Sequence, residues 1–363
     1  MRRGEPVVRV GVTVGHALRG PAGPRRYAQA LCDALGELPR VEVVVLPTPS
    51  GNAISRRLWD LIGIGLVARR RSVDLIHCTG IYPPLIARQP VVLTVHDLAI
   101  RRLPGAFPPV NRSVGWLLWS FLARRADRYI AISEATRNDL LRWLGPPPER
   151  VSVVHHGVGG AFREVVPADV DRVRRTHDVR AEYFLAVGTI EPRKNLARIL
   201  DALRMARANG RAAHLVVVGA PGWNRAQVRE QLASATLGSA VHFLGRVPDE
   251  DLAALYGGAV GLVYPSLYEG FGLPVLEAMA CGCPVITSAR GGLAEAAGDA
   301  AQLVDPLSVE DISVAMQSLL TDSNCRARLI ERGRLHAARF TWRRAAEQSV
   351  EVYRRVLEGD VRG

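Results

Sequence analysis

Short apolar runs bounded by Gly, Pro and Asp alternate with longer stretches of helical period along the whole chain. In the first half the runs predict strands at 7–14, 41–46, 75–78, 91–95, 129–132 and 151–154, separated by helices over 25–38, 56–71, 111–126 and 134–144. The pattern restarts near residue 183, with strands at 183–187, 215–218, 241–244, 259–264, 284–287 and 301–304 and helices over 196–208, 225–235, 251–257 and 309–320. Regular alternation of strand and helix argues for parallel sheets covered by helices on both faces, hence an α/β protein of doubly wound domains. The charged stretch 162–180 holds Pro167 and no continuous apolar run. A linker is expected at 166–180, between an N-terminal domain at 1–165 and a C-terminal domain at 181–340. Thr341 is placed to cap a final helix within 341–363.

At 363 residues the chain is too long for one ordinary core and right for two. Hydrophobic residues make up 48% and charged residues 23%, the balance of a soluble globular protein. Residues 1–14 lack the long apolar stretch and small-residue cleavage site of a signal peptide and read as a buried first strand. The longest apolar runs, near 58–68 and 114–123, reach about ten residues, half of the roughly 20 that cross a bilayer. A cytoplasmic protein is expected. The five cysteines (Cys32, Cys78, Cys281, Cys283 and Cys325) are scattered, with no second pair or nearby His to complete a zinc site, so buried thiols are expected.

Charge changes this picture. Residues 1–180 hold 27 Arg against 15 acids and residues 181–363 hold 20 Lys plus Arg against 20, so the whole net charge of +12 lies on the first half. Aromatic residues are only 6% and are not interleaved with the arginines as stacking platforms require, which argues against nucleic acid. The segments 56–71 and 111–128 carry Trp59, Trp116, Trp119 and Phe121 among arginines. Their apolar faces either pack on the first sheet or form a patch that rests on anionic lipid.

Candidate chemistry gathers at predicted strand ends, where doubly wound domains bind ligands. The strand at 259–264 runs into Tyr268-Glu269-Gly270-Phe271-Gly272-Leu273-Pro274-Val275-Leu276-Glu277. Gly270 and Gly272 permit close backbone approach, and loop amides before a helix suit sugar or phosphate oxygens. Glu269 and Glu277 either grip hydroxyls at two ends of one ligand, or are a solvated loop residue and a helix-starting acid. The strand at 183–187 meets Gly188 and then Arg193-Lys194 before the next helix. Two cations there oppose the helix dipole unless an anion lies between them. Lys194 is the only lysine in the chain, as if the site needs a compact ammonium. His96 and Asp97 close the strand at 91–95, and Gly15-His16 with Gly23-Pro24-Arg25-Arg26-Tyr27 follow the first strand.

Together these segments resemble glycosyltransferase family 4, the retaining enzymes of GT-B architecture, and its mannosyltransferase-like members in particular. The resemblance covers nearly the whole chain and is most specific over 262–305, where Glu269 and Glu277 match the Glu-x7-Glu motif. It implies two Rossmann-like parallel-sheet domains facing across a cleft, the first on the acceptor side and the second holding the nucleotide sugar. The C-terminal helix would cross back to the N-domain. Among the catalytic residues, it implies that His96 and Glu269 meet the donor sugar and that Arg193 and Lys194 neutralise the diphosphate. Glu277 would hold the ribose, with Gly188, Gly270, Phe271, Gly272 and Leu273 completing the donor site. The segments Ile132-Ser133-Glu134-Ala135-Thr136 and His156-Gly157-Val158 resemble two more family stretches. One departure stands in the first loop, where Arg25 replaces the family's second glycine. The loop residues Gly23, Arg25, Arg26 and Tyr27 would then meet donor or acceptor differently.

The expected reaction moves a hexose from a nucleoside diphosphate sugar, GDP-mannose or a UDP-sugar, to a glycan or polyprenyl-linked acceptor. No cofactor and no metal are expected; the Asp-x-Asp at Asp169-Val170-Asp171 falls in the expected linker. Peripheral contact with the anionic inner face of the plasma membrane is expected through the basic first half. The alternatives are a non-catalytic nucleotide-sugar-binding module and a nucleotide-sugar epimerase on the same fold.

Overall fold

The computed structural model describes residues 7–14, 22–47, 52, 55, 58–80, 82–106, 113, 115–179, 182–208, 213–220, 222 and 237–359. The chain divides into two units, 1–157 with 340–363, and 158–339.

In the first unit β1 (Val8–Thr13) leads to α1 (Ala22–Gly36) and β2 (Val41–Leu46). A π-helical turn at Trp59–Gly63 runs into α2 (Ile64–Arg70), followed by β3 (Leu75–Cys78) and β4 (Val91–Val95). Then come α3 (Trp116–Ala123), β5 (Arg128–Ala131), α4 (Glu134–Trp143) and β6 (Val151–Val153). The strands lie in the order β2-β1-β3-β4-β5-β6, every pair parallel. Every residue of β3 and β4 is buried, which is why both read as largely apolar runs without alternation, interrupted only by His77 and Thr94. On one face of the sheet Ile64 and Ala68 of α2 and Leu140 of α4 pack with Ile76 and Leu93. On the other, Tyr27, Leu31 and Leu35 of α1 pack with Leu75 and Val92.

The second unit repeats the plan. Its elements are α5 (Pro167–Thr176), β7 (Tyr183–Val187), α6 (Leu196–Ala208), β8 (His214–Val218), β9 (Val241–Gly245), α7 (Asp249–Gly257) and β10 (Gly261–Tyr264). They are followed by α8 (Leu273–Ala280), β11 (Val285–Thr287), α9 (Leu293–Ala297), β12 (Gln302–Leu303), α10 (Val309–Thr321) and α11 (Ser323–Ala337). Its sheet is also parallel, in the order β12-β11-β10-β7-β8-β9. The chain then returns to the first unit as α12 (Trp342–Leu357), capped by Thr341, whose side chain accepts from the Arg344 amide. Ala346, Val350 and Tyr353 of this helix pack beside Leu31 and Leu35. The crossing is tight at Gly157, where a Cβ would stand 2.1 Å from the Trp342 nitrogen.

Three expectations change. The linker expected at 166–180 contains a helix, Pro167–Thr176, that belongs to the second unit. Val166, Val170 and Val173 recur at helical spacing, too narrow a stripe to register as an apolar run, and Val173 is fully buried. Asp169-Val170-Asp171 therefore lies on a packing helix. The helix expected at 111–126 is resolved as Trp116–Ala123. The helix expected at 225–235 lies outside the described residues, as do Gly15 and His16. All five cysteines are free thiols. Among the described residues no helix is long and apolar enough to cross a membrane.

Candidate active site

In the second unit two strand-to-helix connections converge. After β7 the chain passes Gly188, held at φ +130°. It then makes a 3-10 turn at Pro192–Lys194 and a left-handed residue, Asn195, at φ +62°. Asn195 is buried, and its amide donates to the carbonyls of Pro265, at 3.0 Å, and Pro306, at 2.6 Å. The Leu267 amide donates to the Arg193 carbonyl at 2.9 Å. The turn carrying the two cations is thus tied to the loop after β10, which carries Glu269.

Glu269 is the anion that the sequence left open between Arg193 and Lys194. Arg193 Nη1 donates to its Oε2 at 2.5 Å, and Lys194 Nζ to its Oε1 at 2.7 Å. Tyr264, at the end of β10, donates to Oε1 at 3.1 Å and accepts from Lys194 Nζ, and its ring lies 4.7 Å from the ammonium. Arg193 also donates to Glu191 from Nε at 3.0 Å and from Nη2 at 2.6 Å. Glu269 is buried, so it is no solvated loop acid. Burial alone would raise its pKa, but Arg193 and Lys194 overcome that and hold it at about 2. Burial pushes the Lys194 ammonium below its usual range, aided by Arg193 and opposed by Glu269. Beside Lys194 and Gly188 lies a cavity of 20 Å³, lined also by Thr189, Ile190 and Tyr264, which is room for about one water.

Glycines fix the loop that carries Glu269. Gly272 caps α8 at φ +118°, and Pro274 sits in the first turn as its fixed φ favours. Gly291 pairs with Glu269 in an isolated parallel bridge, and a Cβ there would stand 2.2 Å from the Glu269 carbonyl. At Gly292 a Cβ would meet the Gly270 carbonyl at 2.2 Å, while its amide donates to the Glu269 carbonyl at 2.9 Å. Glu277 is buried on α8 and accepts a long hydrogen bond, 3.4 Å, from Tyr256. Phe271 is buried too, and Leu273 is half-buried at the start of α8.

In the first unit His96 follows β4 and is half-buried, its Nε2 3.0 Å from the Thr79 carbonyl. A carbonyl can only accept, so Nε2 carries the proton and Nδ1 is the acceptor nitrogen of the neutral ring. Burial holds the imidazole below its usual pKa, opposed by the Thr79 carbonyl and Asp97. Tyr27 meets His96 edge-on at 4.9 Å between centroids, and His156 and Trp342 pack on Tyr27 at 4.7 and 5.8 Å. A chain of hydrogen bonds runs behind this cluster. Tyr353 pairs with His77 Nδ1 at 2.6 Å, His77 Nε2 with Thr94 at 2.7 Å, and Thr94 with the Tyr27 hydroxyl at 2.8 Å.

The first helix begins three residues before the one expected at 25–38, so it takes in Gly23 of the expected loop as well as Arg25, Arg26 and Tyr27. All four lie on α1, where Tyr27 is a core residue, Arg25 is exposed and Gly23 has open space around it.

The profile described as Glycosyltransferase Family 4 matches residues 9–159, and that described as Glycosyl transferases group 1 matches residues 168–336. The O-antigen chain mannosyltransferase B of Escherichia coli is 32% identical over 270 residues, 72% of this chain and 70% of that protein. The chain belongs to glycosyltransferase family 4. A D-inositol 3-phosphate glycosyltransferase of Thermobispora bispora is 31% identical over 367 residues, covering 96% of this chain and 81% of its relative. The Anabaena protein HepE, solved with UDP and glucose, superposes with a TM-score of 0.75 at 20% identity, covering 96% of this chain and 99% of the other. That likeness and the two parallel sheets give this family 4 enzyme the GT-B fold.

Within the glycosyltransferase, Arg193, Lys194, Glu269, Gly188, Gly270 and Gly272 all belong to the two joined connections of the second unit. His96 belongs to the first unit. The sequence reading missed Tyr264, Glu191, Asn195 and the Gly291-Gly292 clamp. Tyr264 reads as one more apolar strand residue, and nothing in the order of residues says that its hydroxyl bridges Lys194 and Glu269.

Proposed function

We propose that this glycosyltransferase transfers a hexose from a nucleoside diphosphate sugar with retention of configuration, without a metal, to a glycan or polyprenyl-linked acceptor. The observation that carries this reading is the convergence of Arg193 and Lys194 on one buried anionic group, at 2.5 and 2.7 Å. Charge-assisted donors so fixed stabilise the negative charge that grows on a departing diphosphate. Glu277 is assigned to the ribose hydroxyls and His96, through neutral Nδ1, to a sugar hydroxyl. In a front-side displacement the bond from the sugar C1 to the phosphate oxygen breaks while the acceptor oxygen bonds to C1. The acceptor proton passes to the leaving phosphate oxygen. Mannose is the first choice of sugar, as in the name of the E. coli relative, and GDP-mannose precedes UDP-sugars as donor.

For the acceptor side we propose a cytoplasmic enzyme that rests on anionic lipid. Leu117, Leu118 and Phe121 of α3 and Leu58, Ile62 and Leu66 around α2 are exposed, with Arg69, Arg70, Arg124 and Arg125 exposed beside them in sequence. Trp59, Trp116 and Trp119 are partly buried against the same core, so both helices cover one face of the sheet and the leucines take the place expected of the tryptophans.

The deciding experiment incubates the enzyme with GDP- and UDP-sugars and lipid-linked or oligosaccharide acceptors in EDTA, reading product linkage by NMR. An α-linked product from one nucleotide class, lost in Lys194→Ala, supports the reading. An inverted product, or a trapped glycosyl-enzyme adduct, rejects the mechanism.

A further inference from the structure

We infer that Glu269 is a charge lock on the donor site, one that makes the site select a phosphate ligand carrying sugar hydroxyls over a bare phosphate ligand. The inference rests on the assignment of these two connections to a nucleotide sugar. Both oxygens of Glu269 are engaged, Oε2 by Arg193 and Oε1 by Lys194 and Tyr264. Arg193 is held from its other side by Glu191. The formal charges of Glu191, Arg193, Lys194 and Glu269 therefore sum to zero. The side chains of Arg193 and Lys194 are each only 16% exposed, so solvent screens these pairs weakly.

A diphosphate that approaches Arg193 and Lys194 thus meets cations already neutralised, with a carboxylate in the place its oxygens need. To bind, it must displace Glu269, and a buried carboxylate driven off its partners carries a large desolvation cost. A donor sugar changes that balance. Its hydroxyls can donate to Glu269 while the diphosphate takes the cations, so every buried charge keeps a partner. Once the sugar has left for the acceptor, the nucleoside diphosphate offers Glu269 nothing, and the carboxylate returns to Arg193 and Lys194 as the nucleotide departs. Before ligand binds, Glu269 is ionised under ordinary assay conditions, since its cations hold its pKa at about 2. The lock is therefore opened by ligand hydroxyls and not by protonation.

The test is calorimetric titration of the full-length protein with GDP, UDP and their sugars, comparing wild type, Glu269→Gln and Glu269→Asp. Glu269→Gln removes the competing charge, and the nucleoside diphosphate is expected to bind about tenfold tighter or more, as expected when a buried ion-pair partner is removed. The sugar donor gains less, so the ratio of the two affinities shifts toward the bare nucleotide. Glu269→Asp keeps the charge on a side chain too short to meet both cations, and an intermediate tightening is expected. It also serves if Glu269→Gln fails to fold, as judged by circular dichroism. Unchanged or weaker nucleoside diphosphate binding in both variants overturns the lock while leaving the donor site in place. Absence of nucleotide binding in folded wild type and variants alike overturns the donor-site assignment, and the lock with it.

Discussion

Lys194 is the chain's only lysine, and its surroundings explain why an arginine would serve badly there. The ammonium reaches Glu269 and Tyr264 together, and a Cβ on neighbouring Gly188 would already stand 3.0 Å from Lys194 Cε. A planar guanidinium would present its donors in a different geometry from the compact ammonium that makes these two contacts. Lys194→Arg is expected to keep the fold and lower kcat/KM by roughly 10²-fold, as loss of a preorganised transition-state donor does. Steady-state kinetics beside a thermal melt would check it, and full activity would reject the placement of Lys194 at the leaving phosphate. His77 belongs to the same scale. Burial holds its pKa at about 3, below the ordinary 6.5, so between those values the unfolded chain binds a proton that the folded protein refuses. Stability therefore falls as pH drops below 6.5, by about 2 kcal/mol between pH 7 and pH 5 from this one group. Glu269, held at about 2 against an ordinary 4.5, adds a further loss only below pH 4.5. Urea melts at pH 7 and pH 5 should show the loss, and His77→Gln should remove the share that comes from His77, leaving that of buried His96 and His156.

At the scale of elements, what positions the chemistry is the seating of short connections against one another. The Glu269 loop is backed by Gly291, held at φ +63° in the left-handed region, with no space for a Cβ against the Glu269 carbonyl. Gly291→Ala is expected to cost roughly 2 kcal/mol or more and to depress activity further by displacing Glu269. A variant with unchanged melting temperature and kcat would show that the bridge is dispensable. The same logic governs the return of α12. It seats Trp342 and Tyr353 beside Tyr27 and His77, and its entry needs Gly157. The return of the last helix was implied by the family resemblance, but these individual contacts were out of reach from the sequence, because they pair residues far apart in the chain. The helices and strands that carry them were legible. Thr341 capping α12 and Pro274 in the first turn of α8 both stand where the residue types place them, since caps and turns are settled within a few neighbours.

Across the whole molecule the net charge of +12 lies in the first 180 residues, and exposed leucines on α2 and α3 stand close in sequence to exposed arginines. Leu117→Glu with Phe121→Glu, at two exposed positions of α3, should leave the melting temperature within about a degree, as surface changes usually do. The pair should abolish co-sedimentation with anionic vesicles at low salt, and sedimentation equal to wild type would remove the lipid-facing role from this helix. What the sequence determined alone was the periodic part of the protein: the twelve strands among the described residues, most of the helices there, two parallel sheets, and the pairing of Arg193 with Lys194 and of Glu269 with Glu277 in family motifs. Period, caps and motif spacing are local, so the order of residues is enough to carry them. Tertiary structure decided the rest. It turned the expected linker into α5 by burying Val173, buried Tyr27 in the core, and brought Glu269 onto Arg193 and Lys194 with Tyr264 between them. Each of those outcomes depends on how close two distant segments approach, and on the high cost of a buried charge without a partner, which acts only once the chain has folded around it.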